Sequence, residues 1–187
     1  DGIEPNKAHI KLAQMEKANE LDGIITQNID RLHQDAGSKK TIELHGSVFH
    51  NHCMDCNKRF STEYLVAQEG VPRCDRCGGI VKPDITLYEE DLNHEKIDAA
   101  IKALKKCDLL IIGGTSLTVY PAATFVQFIK HNRVVIINKS STYLDLSAML
   151  TIHDSIGYVL DNAIPKRWPK ETPKKKTTTK KKDQDAK

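Results

Sequence analysis

Cys53-Met54-Asp55-Cys56 and Cys74-Asp75-Arg76-Cys77 place four thiols in two tight pairs, 17 residues apart. Each pair puts two sulfurs on one turn, and the segment between is long enough to fold back and close a tetrahedral four-thiolate shell around Zn²⁺. Gly78-Gly79 directly after the second pair suits a ligand knuckle, because a backbone curling its N–H groups toward sulfur often needs positive φ. A disulfide framework is the alternative. The lack of a secretory apolar region and the presence of a fifth cysteine, Cys107, favour metal. His50 and His52 are rival ligands, read as solvent-facing loop residues because four thiolates already suffice. A closed sulfur shell leaves no position for water or substrate, so this zinc braces a small module and the chemistry lies elsewhere. Cys107 reads as a small apolar residue at a helix end.

Polar residues gather after three apolar runs: Gln27-Asn28-Ile29-Asp30 after Gly23 to Thr26, Gly114-Thr115-Ser116 after Leu109 to Ile112, and Asn138 after Val134 to Ile137. Glycine lets a backbone approach a phosphate or ribose, and amides and hydroxyls bond sugar hydroxyls. A nucleotide is the natural ligand of such a rim. Each polar residue can equally be a cap or a turn former, and a glycine pair after an apolar strand is by itself a weak signal.

The elements that must carry these clusters follow from periodicity. Ala8, Leu12, Met15 and Ala18 recur at helical spacing behind a potential Asn6 cap. Ile97, Ala100, Ile101 and Leu104 do the same behind Asn93, with Lys105 and Lys106 in the last turn, where the helix dipole favours cations. Gly23–Thr26, Leu109–Ile112 and Val134–Ile137 are short apolar runs with the character of fully buried strands. Pro121 can open a further helix at its first position, and a last helix or turn is expected around Asp154 to Ala163. Strand and helix in alternation predict an α/β protein, a Rossmann-like parallel sheet with helices on both faces, plus a small zinc-ribbon module. The expected division is 1–47 with 81–164 for the nucleotide-binding part, 48–80 for the zinc module and 165–187 for a basic tail.

At 187 residues the chain can bury one core and a small lobe. It has no apolar run of 18 residues and no basic segment ahead of a cleavage site, so the reading is a soluble cytoplasmic protein, without a membrane span. The net charge of +3 is lopsided: Pro165 to Lys187 holds ten Lys/Arg against three Asp/Glu, +7, and the preceding body is −4. So polar a tail cannot offset its ordering entropy and is expected to be disordered. It can touch nucleic acid or an anionic surface, but without interleaved aromatics a solvated extension is favoured.

Taken together, the motifs resemble a known family. Thr26-Gln27-Asn28-Ile29-Asp30 with Leu32-His33, His45-Gly46, the two cysteine pairs, Lys82-Pro83-Asp84, Gly114-Thr115-Ser116-Leu117 with Pro121-Ala122, and Ile137-Asn138 are similar in order and spacing to a bacterial-type sirtuin, over roughly residues 5–160. Their joint occurrence is far more specific than any one of them.

The resemblance implies an NAD-dependent protein-lysine deacylase with NAD as co-substrate and structural Zn²⁺. In that chemistry the acyl-lysine carbonyl oxygen attacks C1′ of the nicotinamide ribose, nicotinamide leaves, an imidate joins substrate to ADP-ribose, and after a ribose hydroxyl attacks the imidate carbon, water completes release of lysine and O-acyl-ADP-ribose. His45 is implied as the general base, a role its near-neutral ordinary pKa suits. Asn28 and Asp30 are implied to position ribose and nicotinamide, with Ile29 as a wall. Gln27 is implied to bond a ribose hydroxyl, Gly114, Thr115 and Ser116 to face phosphates and sugars, and Asn138 to take the adenosine ribose. Ile85, Thr86, Leu87 and Tyr88 are implied to pair with the acyl-lysine protein as an added strand, which gives sequence-tolerant affinity.

Two departures stand out. Tyr88-Glu89 replaces the family's commonest Phe-Gly. Members also normally begin with a strand and a Gly-rich phosphate turn, which nothing before Pro5 supplies, so the resemblance implies an N-terminally incomplete fold whose own activity is weak or absent. Two other classes compete: a zinc-ribbon nucleic-acid module, supported by Lys58, Arg59, Arg73 and Arg76, and a non-catalytic ADP-ribose binder.

Overall fold

The computed structural model describes residues 2–87, 89–118, 122–129 and 133–165. Tyr88, Pro121 and the basic tail beyond Pro165 lie outside the described residues, and so do the expectations attached to them.

Helix α1 (Lys7–Lys17) begins where the sequence places its cap. Asn6 Oδ1 accepts the N–H groups of Ala8 (2.9 Å) and His9 (3.3 Å), while His9 Nδ1 accepts the Asn6 N–H at 3.1 Å. A histidine thus stands where a glutamate usually closes a capping box. Helix α4 (His94–Leu104) is capped by the Asn93 side chain, which accepts from the Lys96 N–H at 3.1 Å. It ends one residue before the expected basic pair: Lys105 is its C-cap and Lys102 occupies the last turn.

Parallel pairing is present, but in two ladders. Strands β1 (Ile24–Thr26) and β2 (Thr41–Glu43) pair in parallel, as do β6 (Leu110–Gly113), β7 (Val134–Ile137) and β8 (Leu150–Ile152), in the order β6-β7-β8. Among the described residues no backbone hydrogen bonds join the two ladders, so the expected Rossmann-like parallel architecture is present as two parallel pieces. Side chains connect them: Ile25, Ile42 and Leu44 pack in one cluster with Ala100, Leu104, Leu110 and Phe125.

Side-chain parity covers both faces of the larger ladder. Ile111, Val135, Ile137 and Ile152 point toward Ala8 and Leu12 of α1 and Val159 and Leu160 of α5 (Ile156–Ala163). Ile112, Val134 and Ile136 point the other way, against Leu117, Val126 and Ile129. Alternate residues of a strand face opposite sides, so each continuous apolar run serves two cores. The segment behind Pro121 is a 3-10 helix, Ala122–Phe128, not an α-helix.

In chain order, between the two parallel pieces, comes a three-stranded antiparallel sheet in the order β4-β3-β5, formed by β3 (Gly46–Cys53), β4 (Arg59–Phe60) and β5 (Val81–Ile85). The short helix α3 (Thr62–Val66), capped by Ser61, completes the lobe. Cys107 behaves as expected: half-buried against the Leu44–Leu104 cluster, its thiol donates to the Leu104 carbonyl at 3.2 Å.

Candidate functional site

Strand β3 delivers Cys53 at its end, and a tight turn over residues 54–56, closed by the Asn57 N–H on Cys53 O at 3.0 Å with Asn57 in the left-handed region at φ 56°, returns Cys56 to the same side. The second knuckle is laced by Gly78 N–H to Cys74 O (2.9 Å) and Cys74 N–H to Gly79 O (2.8 Å). All four sulfurs lie within 4.8 Å of one another, with Cys53–Cys77 at 3.4 Å and Cys56–Cys74 at 3.6 Å. A tetrahedron with Zn–S bonds of about 2.3 Å has edges of about 3.8 Å, so the donor set fits zinc. Of the two glycines only Gly78 has positive φ (75°); Gly79 is required for space, since a Cβ there would stand 2.9 Å from Cys53 Sγ.

Sulfurs this close resist carrying four charges without a cation. The Cys53 thiol is lowered to about 7, first by the Cys56 backbone N–H. That of Cys77 is raised to about 12: Gly79 N–H opposes the rise, but competition from the Cys53 and Cys56 sulfurs dominates.

The two histidines ahead of Cys53 are not loop residues. Both are on β3; His50 is exposed, whereas His52 is half-buried, with Nδ1 bonded to Asp84. Strand pairing, which sets His52 opposite Lys82, brings it there.

His45 sits between β2 and β3, against the Gln27–Asp30 segment. Leu44 N–H donates to Thr26 O (2.9 Å), Val48 N–H to Ile29 O (3.2 Å), and His45 Nδ1 lies 2.9 Å from Gln27 O. A carbonyl can only accept, so Nδ1 carries a proton, and in the neutral ring the lone pair falls on Nε2, which has no protein partner among the described residues. Gln27 Nε2 is buried and unpartnered, as are Glu43 Oε1 and His33 Nδ1.

Asn28 is exposed, its N–H bonded to Thr26 Oγ1 at 3.1 Å, while Ile29 and Asp30 are half-buried. Asp30 Oδ1 accepts the Leu32 N–H at 3.0 Å, a turn-forming role at the start of α2 (Leu32–Asp35). The His33 ring meets that of His9 edge-on at 4.7 Å. Burial lowers the pKa of both, and their mutual repulsion adds to the effect on His33; Asp30 opposes it.

Strand β5 runs on beside His45: Ile85 pairs with Gly46, and Thr86 N–H donates to His45 O at 2.9 Å. Leu87 is exposed and its N–H donates to Glu90 Oε2 at 2.9 Å, while Lys82 holds Glu90 Oε1 at 2.8 Å. The Leu87 N–H and then Lys82 pull the Glu90 carboxyl below its ordinary range.

The second rim tops the larger ladder. Gly114, Ile137, Asn138, Ser140, Ser155 and Ile156 line a cavity of ≈ 210 Å³. Gly113 lets the start of α5 descend onto the strand ends: a Cβ there would stand 2.1 Å from Ile156 Cδ1. Thr115 Oγ1 accepts the Leu117 N–H at 3.1 Å, supporting Leu117 at φ 56°, and the exposed Ser116 hydroxyl bonds Thr118 at 2.6 Å. The Asn138 amide donates to Ser140 O at 2.8 Å. Thus Gln27–Asp30, His45 and Ile85–Thr86 meet around one rim, and Gly114 and Asn138 around another. No described hydrogen bond joins the two. Glu43 was not legible in the sequence, because strand pairing and burial bring it there; His33 and Asp84 stood in motifs of the resemblance, but their contacts with His9 and His52 come from packing and register.

These features define a parallel α/β fold with an inserted four-cysteine ribbon beside a histidine-bearing polar rim. The chain belongs to the Sir2 family, whose model matches residues 1–121. An NAD-dependent protein deacetylase of Clostridium tetani is 55% identical over 161 residues, covering 86% of this chain and 65% of that protein. One of Clostridium acetobutylicum is 53% identical over 161 residues, covering 86% and 66%. The chain therefore spans just under two thirds of the length of these relatives. Among solved structures, a Sir2 with p53 peptide and NAD+ superposes with a TM-score of 0.80 at 36% identity, covering 86% of this chain and 69% of that one. A Sir2 homolog–NAD complex gives 0.80 at 34%, covering 86% and 64%.

Proposed function

We propose that this chain takes part in NAD-dependent removal of acyl groups from protein lysines, with His45 as general base and Zn²⁺ as a structural ion held by Cys53, Cys56, Cys74 and Cys77. The observation that carries this reading is the setting of His45: Nδ1 is tied to the Gln27 carbonyl, Nε2 is left as the basic nitrogen, and the His45 carbonyl holds Thr86 of the strand proposed to receive the substrate. NAD would supply the ribose carbon to which the acyl oxygen transfers. Gln27 Nε2, buried without a partner, suits a ribose hydroxyl. Asn28, Ile29 and Asp30 would enclose the nicotinamide end. Gly114, Thr115, Ser116 and Asn138 would face phosphates and adenosine ribose beside the ≈ 210 Å³ cavity. Ile85, Thr86, Leu87 and Tyr88 would pair with the acyl-lysine segment, for which Leu87 N–H must exchange Glu90 for substrate backbone.

Two ladders with no backbone bonds between them among the described residues offer a loosely defined phosphate platform, so slow turnover is expected of the 187-residue chain alone. The test combines calorimetric titration with NAD and mass-spectrometric detection of O-acyl-ADP-ribose from an acetyl-lysine peptide. His45→Gln should abolish product and leave NAD affinity within about twofold. Unchanged product formation in His45→Gln would refute the reading.

A further inference from the structure

We propose that Asp84 is a positioning residue for the substrate strand, the clamp through which Arg59 and His52 of the zinc lobe hold Ile85 and Thr86 against His45. The inference rests on the functional reading above for what the strand carries, but its structural basis is independent. Strand β5 pairs with β3 in two different registers. Val81, Lys82 and Pro83 face Cys53, His52 and Asn51, and then Asp84 and Ile85 face Ser47 and Gly46, leaving residues 48–50 of β3 without opposite numbers. The ladder is weakest at that break, because Pro83 has no N–H to donate. The two stretches of pairing are not continuous across that break, so a side-chain contact made there adds to the backbone bonds that hold β5 against His45.

The Asp84 side chain stands at the break and is held from two strands. Oδ1 bonds Nδ1 of His52 on β3, next to the metal ligand Cys53, and Oδ2 bonds the guanidinium of Arg59 on β4. The Asp84 side chain is 28% exposed, so these contacts are partly shielded from solvent; Arg59, at 68%, is the more screened partner. On its backbone side, Asp84 lies directly over Gly46, and two residues on, Thr86 N–H reaches His45 O. Losing the carboxylate frees β5 where its ladder is interrupted, and the displacement is read out at Thr86. Asp84 touches neither substrate nor reacting atoms in this scheme and acts only through the strand.

The test uses the full, zinc-loaded chain and its Asp84→Asn and Arg59→Ala variants. Hydrogen exchange at the Thr86 amide is expected to quicken about tenfold in Asp84→Asn and less in Arg59→Ala. Zinc content should be unchanged in both. The KM for an acetyl-lysine peptide should rise about 5- to 10-fold in Asp84→Asn, with kcat and NAD affinity close to wild type. In the double variant the effects should be less than additive, since both substitutions break one pair. Unaltered Thr86 exchange, loss of zinc, or equal weakening toward peptide and NAD would each overturn the proposal. If wild type itself neither binds nor deacylates the peptide, the functional reading fails, and Thr86 exchange still decides the clamp.

Discussion

Replacing Gly46 with alanine tests how closely the metal lobe is coupled to His45. Gly46 lies at φ 81°, and a Cβ there would stand 1.8 Å from the Asp84 carbonyl oxygen and 2.8 Å from its carbon. A relaxed carbon–oxygen contact needs about 3.3 Å, so the β5 backbone must retreat by about 1.5 Å. That shift breaks the Gly46–Ile85 pairing and stretches the Thr86–His45 hydrogen bond. The left-handed backbone costs about 1 kcal/mol for a non-glycine residue, and the overlap a further 1–3 kcal/mol, about 3 kcal/mol in all. Gly78→Ala is the internal control: its φ is 75°, but a Cβ there meets nothing within 4 Å, so only the backbone cost of about 1 kcal/mol applies. Urea unfolding of the zinc-loaded proteins at matched m-values measures both. Equal destabilisation by the two substitutions would refute the close-approach argument, because it would leave φ as the whole cause.

Other substitutions probe separate parts of the structure. Cys74→Ser removes one of four converging sulfurs and should cost zinc stoichiometry and exchange protection across β3, β4 and β5 while sparing α1 and α5; retained zinc after dialysis against chelator would count against the four-sulfur shell. Because burial lowers the His9 and His33 pKa values below the ordinary 6.5, the unfolded chain binds more protons than the folded one just below that pH. Stability should accordingly fall as pH drops below about 6.5 and level off beneath the folded-state values, with His9→Gln flattening the slope in pH-dependent urea melts. Glu89 is in the left-handed region at φ 69° without being glycine, so Glu89→Gly should be neutral to stabilising by up to about 1 kcal/mol, in contrast to the usual cost of adding glycine.

Local features of the sequence were enough for much of this. A capping asparagine before an apolar 3.6-residue pattern gives a helix wherever it stands, which is why α1 and α4 begin after Asn6 and Asn93. Apolar runs too short for helices announce buried strands, and Ile24–Thr26, Leu110–Gly113 and Val134–Ile137 are such runs. Two close pairs of cysteines carry their own geometry, because ligands on one turn are brought together by the turn itself. The joint motif pattern carries the resemblance to the family without reference to the fold.

What lay beyond the sequence was everything set by partners distant in the chain. Periodicity says that a strand is buried, not which edge it pairs with, so the division into two parallel ladders and the presence of β2 and β8 came only from the folded chain. His52 looked like a loop residue until antiparallel register carried Asp84 across to it. The same pairing put Thr86 on the His45 carbonyl and left Gly46 no room for a side chain. Caps, turns and metal knuckles are satisfied within a few residues and can be read locally; register and close approach are satisfied between segments, and only the assembled core decides them.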